Sequence, residues 1–199
     1  FLQHSFSFDN ASRLLTVTDN TTATPYSATY SYLAKSPLVS QIVFKQGTTT
    51  RMTTAKQHDY LNRLTSISSA IGSSAIGNSY AYNNANQRIR STLADGSYWL
   101  YEYDSLGQVR SGRKYWPDQT PVAGQQFEYT HDDIGNRTAT KAGGDQNGAN
   151  LRSASYLANN LNQYTNRTVP GAVDVMGVSF ATNTVTVNSQ TAYRKVEYF

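Results

Sequence analysis

The sequence predicts an all-β fold: antiparallel β-hairpin repeats laid side by side in a curved or spiralling sheet. Three observations predict it. A strand-turn-strand unit recurs along the chain. Tyr and Thr, which favour strands, are abundant, and so are the turn-formers Asn, Ser and Gly. The 15 tyrosines are several times the number expected in 199 residues, while only 15% of residues are charged.

The clearest unit is Tyr101-Glu-Tyr-Asp-Ser-Leu-Gly-Gln-Val-Arg110. Tyr101 and Tyr103 alternate with charged residues, the period of a strand with one apolar face. Asp104 can bond its side chain to the backbone ahead, and Gly107 accepts the dihedrals needed to leave a turn. Alternation then resumes at Val109. Taking Gly107 as the anchor, the unit recurs at Ser12, Ser36, Asn62, Asn86, Gly135 and Asn162, with 21 to 28 residues between successive anchors. Where Gly is missing, Asn takes the anchor three times, and Asn tolerates left-handed dihedrals better than most residues. A backbone constraint produces that substitution pattern.

Taken in order, Phe6 and Phe8 enter the first hairpin, and Leu14, Leu15 and Val17 leave it. Ala28–Tyr32 and Leu38–Lys45 make the second. Gln46–Thr49 is a turn and Arg51–His58 a strand, followed by Asn62 and the strand Leu64–Ser68. Ser69–Asn78, small and Gly/Ser-rich, reads as a flexible loop. Asp95-Gly96 is a tight-turn signal between Arg88–Leu93 and Ser97–Tyr103. Pro117–Gly124 follows Trp116 as a loop, and Lys141–Asn150 is the longest cluster of strand breakers. The organisation expected is seven hairpins over residues 1–170. Residues 171–199 then continue or cap the sheet, with strands at Val173–Phe180 and Asn183–Val187 and a return through Thr191–Phe199. The start at Phe1 and the stop at Phe199 within the pattern suggest a piece of a longer protein, although a processed product would look the same.

These repeats resemble the YD-repeat, or Rhs-repeat, family. The residues that carry the resemblance are Tyr101, Tyr103, Asp104, Gly107, Val109 and Arg110, then Tyr129, Asp132, Gly135, Asn136 and Arg137. Tyr60–Ile67 and Leu93–Ser97 add similar phrasing. The resemblance implies strips of hairpins that spiral into hollow shells. Such shells encapsulate toxins in bacteria, and related ones form adhesion modules at animal cell surfaces. It also implies carbohydrate binding and an extracellular or cell-surface bacterial location. The self-cleaving aspartate site of many Rhs shells lies on Asp-Pro motifs. This chain has no Asp-Pro, so no protease residue carries over.

Composition narrows the chemistry. Without cysteine there is no disulfide or cysteine metal site. No apolar run is long enough for a membrane-spanning helix. The net charge of +4 is mild and scattered. Arg110, Arg113 and Lys114 interleave with aromatics as a single-strand nucleic-acid surface would, but a solvated strand face accounts for them. No nucleophile elbow, phosphate-binding loop or His-Glu-x-x-His occurs, and no cofactor is expected. Gly72–Gly77 lacks the lysine of a phosphate loop.

Two functions of different class follow. The first is a non-catalytic structural or interaction module, joined to the rest of a larger chain or to copies of itself. In it Asp104, Gly107, Asp132 and Gly135 shape turns, while Tyr101, Tyr103, Tyr129, Trp99 and Trp116 pack or bind a glycan. Residues two apart in a strand share a face, so Tyr101 and Tyr103 lie together, with Tyr129 and His131 placed to extend the row. The second is a hydrolase using His131, Asp132 and Asp133, three contiguous titratable groups. Repeat register weighs against it and against a metal site. His131 and His58 stand where Tyr103 stands, and Asp132 and Asp59 where Asp104 opens its turn.

Overall fold

A computed structural model describes residues 3–199, and among these the fold is all-β, as the repeats predict. Contacts divide the chain into two units, one of residues up to Ala81 with Ser91–Ala94, the other of Tyr82–Arg90 with Asp95–Phe199. In both, order in the sheet is chain order and neighbouring strands run antiparallel.

The first unit holds β1 (His4–Phe8), β2 (Leu14–Asp19), β3 (Tyr26–Tyr32), β4 (Val39–Gln46), β5 (Thr49–His58), β6 (Leu64–Ile71) and most of β7 (Ser74–Tyr82). After β8 (Arg88–Thr92) the second unit continues with β9 (Tyr98–Tyr103), β10 (Val109–Tyr115), β11 (Pro121–His131), β12 (Arg137–Gly143), β13 (Leu151–Ala158) and β14 (Tyr164–Arg167).

One turn geometry joins most of these strands. In the central unit the Asp104 N–H donates to the Gln108 carbonyl, and the Gly107 N–H to the Asp104 carbonyl. The Asp104 Oδ1 accepts the N–H groups of Leu106 and Gln108, each at 2.9 Å. Gly107 sits at φ 82°, in the left-handed region. This is a type I turn closed by a left-handed bulge residue. Asp9, Asp59, Asn83, Asp132 and Asn159 repeat the same four hydrogen bonds. Ser12, Asn62, Asn86 and Asn162 take the left-handed place at φ 59–62°. The bulge shifts register by one residue beside the turn, pairing Tyr103 with Val109, His58 with Leu64 and His131 with Arg137.

The structure departs from the sequence reading at five places. Pro117–Gly124 is not a loop throughout, because the turn ends by Thr120 and Pro121–Gly124 already belong to β11. In the second repeat the left-handed residue is Lys35 (φ 56°), not Ser36. Leu33 stands where a carboxyl or amide is needed, and the closing bond runs one residue further, from the Leu33 N–H to the Leu38 carbonyl. Ser69–Asn78 is not a flexible loop. It is most of the β6–β7 hairpin, paired from Ser66↔Ser79 to Ile71↔Ser74 around Gly72-Ser73. Its small side chains give no apolar alternation to read, yet the backbone ladder needs none. Lys141–Asn150 is not one long loop either. β12 runs through Gly143, and Asp145–Ala149 then forms the same turn again, with Gly148 at φ 73°. Finally, Val173–Phe180 is not a strand. The tail forms only the short pair β15 (Thr186–Val187) and β16 (Gln190–Thr191), with isolated bridges at Tyr198.

That tail lies on the start of β11 and the turn before it. Tyr198 Oη donates to the Ala123 carbonyl at 2.7 Å, Lys195 pairs with Asp118 at 2.5 Å, and Arg152 grips Asp174 with both guanidinium nitrogens. Burial is sparse, as expected of a single sheet. Among the described residues only Tyr98, Val122 and Ala154 are buried hydrophobics.

Removing the turn-closing acceptor should therefore cost stability without changing the strand pattern. Asn83→Ala leaves two backbone N–H groups without their acceptor and is expected to lower unfolding free energy by about 1 kcal/mol per lost bond, read by urea titration. Gly135→Val forces a β-branched residue to φ 92° and should destabilise, whereas Gly135→Asn should be tolerated.

The turn carboxylates also predict an acid limb. The Arg13 N–H at Asp9 and the Asn136 side chain at Asp132 hold these groups below their ordinary 3.8. At Asp59 partial burial pushes upward, but the Arg63 N–H and guanidinium outweigh it. Because the folded values lie below the unfolded ones, this stabilisation is complete above about pH 4 and is lost as pH falls below it. Melting temperature measured against pH should be flat near neutrality and drop on the acid side.

Candidate functional site

An ordered aromatic cluster lies on one face of β9, β10 and β11. Alternation puts Trp99, Tyr101 and Tyr103 on the same side of β9. Phe127 and Tyr129 come up on the same side of β11. Between them Gly112 pairs with both Tyr101 and Phe127. A side chain there would continue the row; its absence leaves a trough with rings on both banks. A Cβ on Gly112 would lie 3.6 Å from the Tyr101 ring, so anything larger than alanine would intrude on the trough.

The rings are held in place from below and from the side. Trp99 and Tyr101 are nearly parallel, 9° apart with centroids at 6.4 Å. Trp99 and Phe127 lie 6.1 Å apart at 24°. Tyr103 donates its hydroxyl to the Arg88 carbonyl at 2.7 Å, and the Arg137 guanidinium sits 5.2 Å from the centre of the Tyr129 ring. The resulting groove has a volume of about 490 Å³, with Arg88 and Val109 at its rim. Its rings are half-exposed, so their faces are available to a flat apolar partner.

The opposite face of the same strands is charged. The Ser111 hydroxyl donates to Glu102 at 2.9 Å, and Glu128 pairs with Arg113 at 2.5 Å and Lys141 at 3.4 Å. Burial pushes the Glu128 carboxyl up, but the two cations hold it below its usual range. This cluster is internally neutralised and braces β10, β11 and β12.

The groove brings together Trp99, Tyr101, Tyr103 and Tyr129. Trp116 is elsewhere, in the turn between β10 and β11, where Tyr198 meets it edge-on at 5.6 Å and the Lys195 ammonium lies 5.6 Å from its ring centre. Phe127 and Gly112 escaped the sequence reading. The alternation Phe127-Glu-Tyr129 mirrors Tyr101-Glu-Tyr103 and was the available signal for the first. Gly112 could be found only by counting register through the bulge.

His131 ends β11 in the place of Tyr103, and Asp132 opens the turn. Both Asp132 oxygens are engaged: Oδ1 accepts the N–H groups of Ile134 and Asn136, and Oδ2 accepts the Asn136 side chain at 2.9 Å. Asp133 is exposed to solvent. Asp104 and Gly107, like Asp132 and Gly135, sit at hairpin tips away from the groove's aromatic row. No group of three His, Asp or Glu side chains able to hold a metal occurs among the described residues.

No family model and no curated protein matches this sequence. Solved structures do. The chain is similar to part of the TcdB2-TccC3 chain in a structure with Cdc42, with a TM-score of 0.66 and 13% identity over 91% of this chain. A form of TcdB2-TccC3 without its hypervariable C-terminal region gives 0.65 at 13% identity, also over 91% of this chain. A Photorhabdus luminescens Tc holotoxin pore structure carrying the TccC3 D651A mutation gives 0.50 at 12% identity over 92%. This chain spans only 9% of the length of the first two matched chains and 11% of the third. At such identity the likeness shows a shared fold, an antiparallel hairpin-repeat sheet like those found within these toxin-complex chains.

Proposed function

We propose that this chain is a non-catalytic structural and interaction module, a stretch of hairpin strip of the Rhs-shell kind that works as part of a larger chain or assembly. The observation that carries this reading is the recurrence of one side-chain-closed turn between successive strands. It gives a sheet that can be lengthened hairpin by hairpin without a globular core. The likeness to short stretches of much longer toxin-complex chains supports it, and a location outside the cell or at its surface agrees with that company.

Within this reading the groove of Trp99, Tyr101, Tyr103, Phe127 and Tyr129 is a carbohydrate-binding surface. Half-exposed, nearly parallel rings suit the apolar C–H face of a pyranose, and Arg88 at the rim supplies hydroxyl or carboxylate contacts. Trp116, outside the groove, serves packing of the tail. For His131, Asp132 and Asp133 the turn role competes with chemistry: a carboxylate that already accepts three hydrogen bonds is a poor general base.

Binding of soluble oligosaccharides, followed by tryptophan fluorescence and titration calorimetry, tests the groove. Trp99→Ala and Gly112→Val should each weaken binding at least ten-fold, the first by removing a ring and the second by filling the trough, while Trp116→Phe should leave it intact. Equal binding by all three variants and the parent would place any sugar site elsewhere.

His131→Tyr separates the two functions. The structural reading expects unchanged sugar binding and an equal or higher melting temperature, because tyrosine already occupies the equivalent place in other repeats. Loss of a hydrolytic turnover on that substitution would overturn it.

A further inference from the structure

Side chains, not a backbone ladder, fasten the segment from Asp174 to Phe199 to the sheet. Among the described residues its backbone hydrogen bonds run within the segment: the Gly177 N–H donates to the Phe199 carbonyl, and the Ser179 N–H to the Glu197 carbonyl. None of the three buried hydrophobic residues belongs to it, and Val178, Phe180 and Val196 are 78%, 76% and 74% exposed. Apolar burial therefore does little to hold it down.

The fastening gathers at the turn between β10 and β11. The Lys195 ammonium donates to Asp118 at 2.5 Å and to the Thr120 hydroxyl, and lies 5.6 Å from the centre of the Trp116 ring. Three residues on, Tyr198 meets the same ring edge-on and donates its hydroxyl to the Ala123 carbonyl. The Tyr198 N–H donates to the Lys195 carbonyl, closing a turn that brings both side chains to one indole. The docked state carries local costs. Val196, inside that turn, sits at φ 56°, where a β-branched side chain crowds its own backbone. The Trp116 Nε1–H is buried without an acceptor. Both costs disappear when the segment lets go.

We infer that this segment is a releasable strap, and that the Trp116–Thr120 turn with Ala123 is a docking site for a lysine followed three residues later by a tyrosine, filled here by the chain's own Lys195 and Tyr198. A polar fastening whose carboxylate, Asp118, is 57% exposed contributes little and weakens with salt. Set against a strained valine and an unpaired indole N–H, it leaves a contact of small net stability, which opens and closes while the sheet stays folded. On opening, the indole face, the Asp118 carboxylate and the Ala123 carbonyl become free together. A second segment with the same pair of residues then takes the place of the first, its ammonium on the ring and carboxylate and its phenol on the carbonyl.

The chain has two tryptophans, so Trp99→Phe leaves Trp116 as the sole reporter, and acrylamide quenching in that background reads the open fraction. Asp118→Asn keeps the oxygen that shapes the turn and removes the charge. It and Lys195→Met should each raise the open fraction about five-fold. Added salt should open the reporter chain and act more weakly on Asp118→Asn. Val196→Asn, which accepts left-handed dihedrals, should lower the open fraction about five-fold. Melting of the sheet, followed by circular dichroism, should stay level throughout. A Trp116 signal indifferent to salt and to Asp118→Asn, or shifted the same way by Val196→Asn, overturns the strap. A peptide of residues 192–199 should shield Trp116 in a chain carrying Lys195→Ala and Tyr198→Phe, and the same peptide carrying Lys195→Ala should not. Shielding by both peptides alike, or by neither, overturns the docking site.

Discussion

A side-chain oxygen accepting two backbone N–H groups ahead of it is the constraint on which the rest depends. Where Asp or Asn provides it, the chain reverses in five residues, the fourth turns left-handed, and register slips by one beside the turn. That slip determines which residues face which side of the sheet, because strand side chains alternate. The Trp99–Tyr101–Tyr103 row and the charged row of Glu102, Ser111 and Arg113 occupy opposite faces because Asp104 closes where it does. Where Leu33 takes the closing position, the turn lengthens and its left-handed residue moves to Lys35.

The paired letters Tyr and Asp then have separate tasks. The acid closes its own hairpin. The tyrosine before it reaches back to the previous one, as Tyr103 reaches Arg88; Tyr32 reaches Leu14 in the same way although Leu33, not an acid, follows it. Turn arginines add a second tie, with Arg13 stacked 4.3 Å over the Tyr32 ring and Arg137 over Tyr129. With only three hydrophobic residues buried among those described, such local ties carry more of the stability than a core does. A sheet built this way can be extended by repetition, and it can carry an aromatic groove on one face without disturbing the turns.

Much of this was readable from the letters. Turn positions were, because Asp, Asn and Gly are selected for local geometry that no distant contact can replace. Strands flanked by such turns followed from them. The β6–β7 hairpin was misread because its Ser, Ala and Gly residues show no alternation, although backbone hydrogen bonds hold it all the same. The Asp145–Ala149 turn was hidden in a cluster of breakers, where a true repeat of the motif looked like mere loop composition. In the tail, alternating Val, Met and Phe resembled strands, but side-chain anchors hold it without a ladder: Asp174 on Arg152 of β13, Lys195 on Asp118 before β11, and Tyr198 on Ala123 of β11.

The sequence by itself determined the hairpin as the unit, its turn chemistry and the shared face of Tyr101 and Tyr103, since each depends on residues a few positions apart. Only the tertiary structure decided that Gly112 opens a trough between Tyr101 and Phe127, and that Tyr129 joins the groove and Trp116 does not. Those are matters of cross-strand register and of neighbours distant in the chain, and a bulge at each turn shifts that register in ways that spacing alone does not reveal.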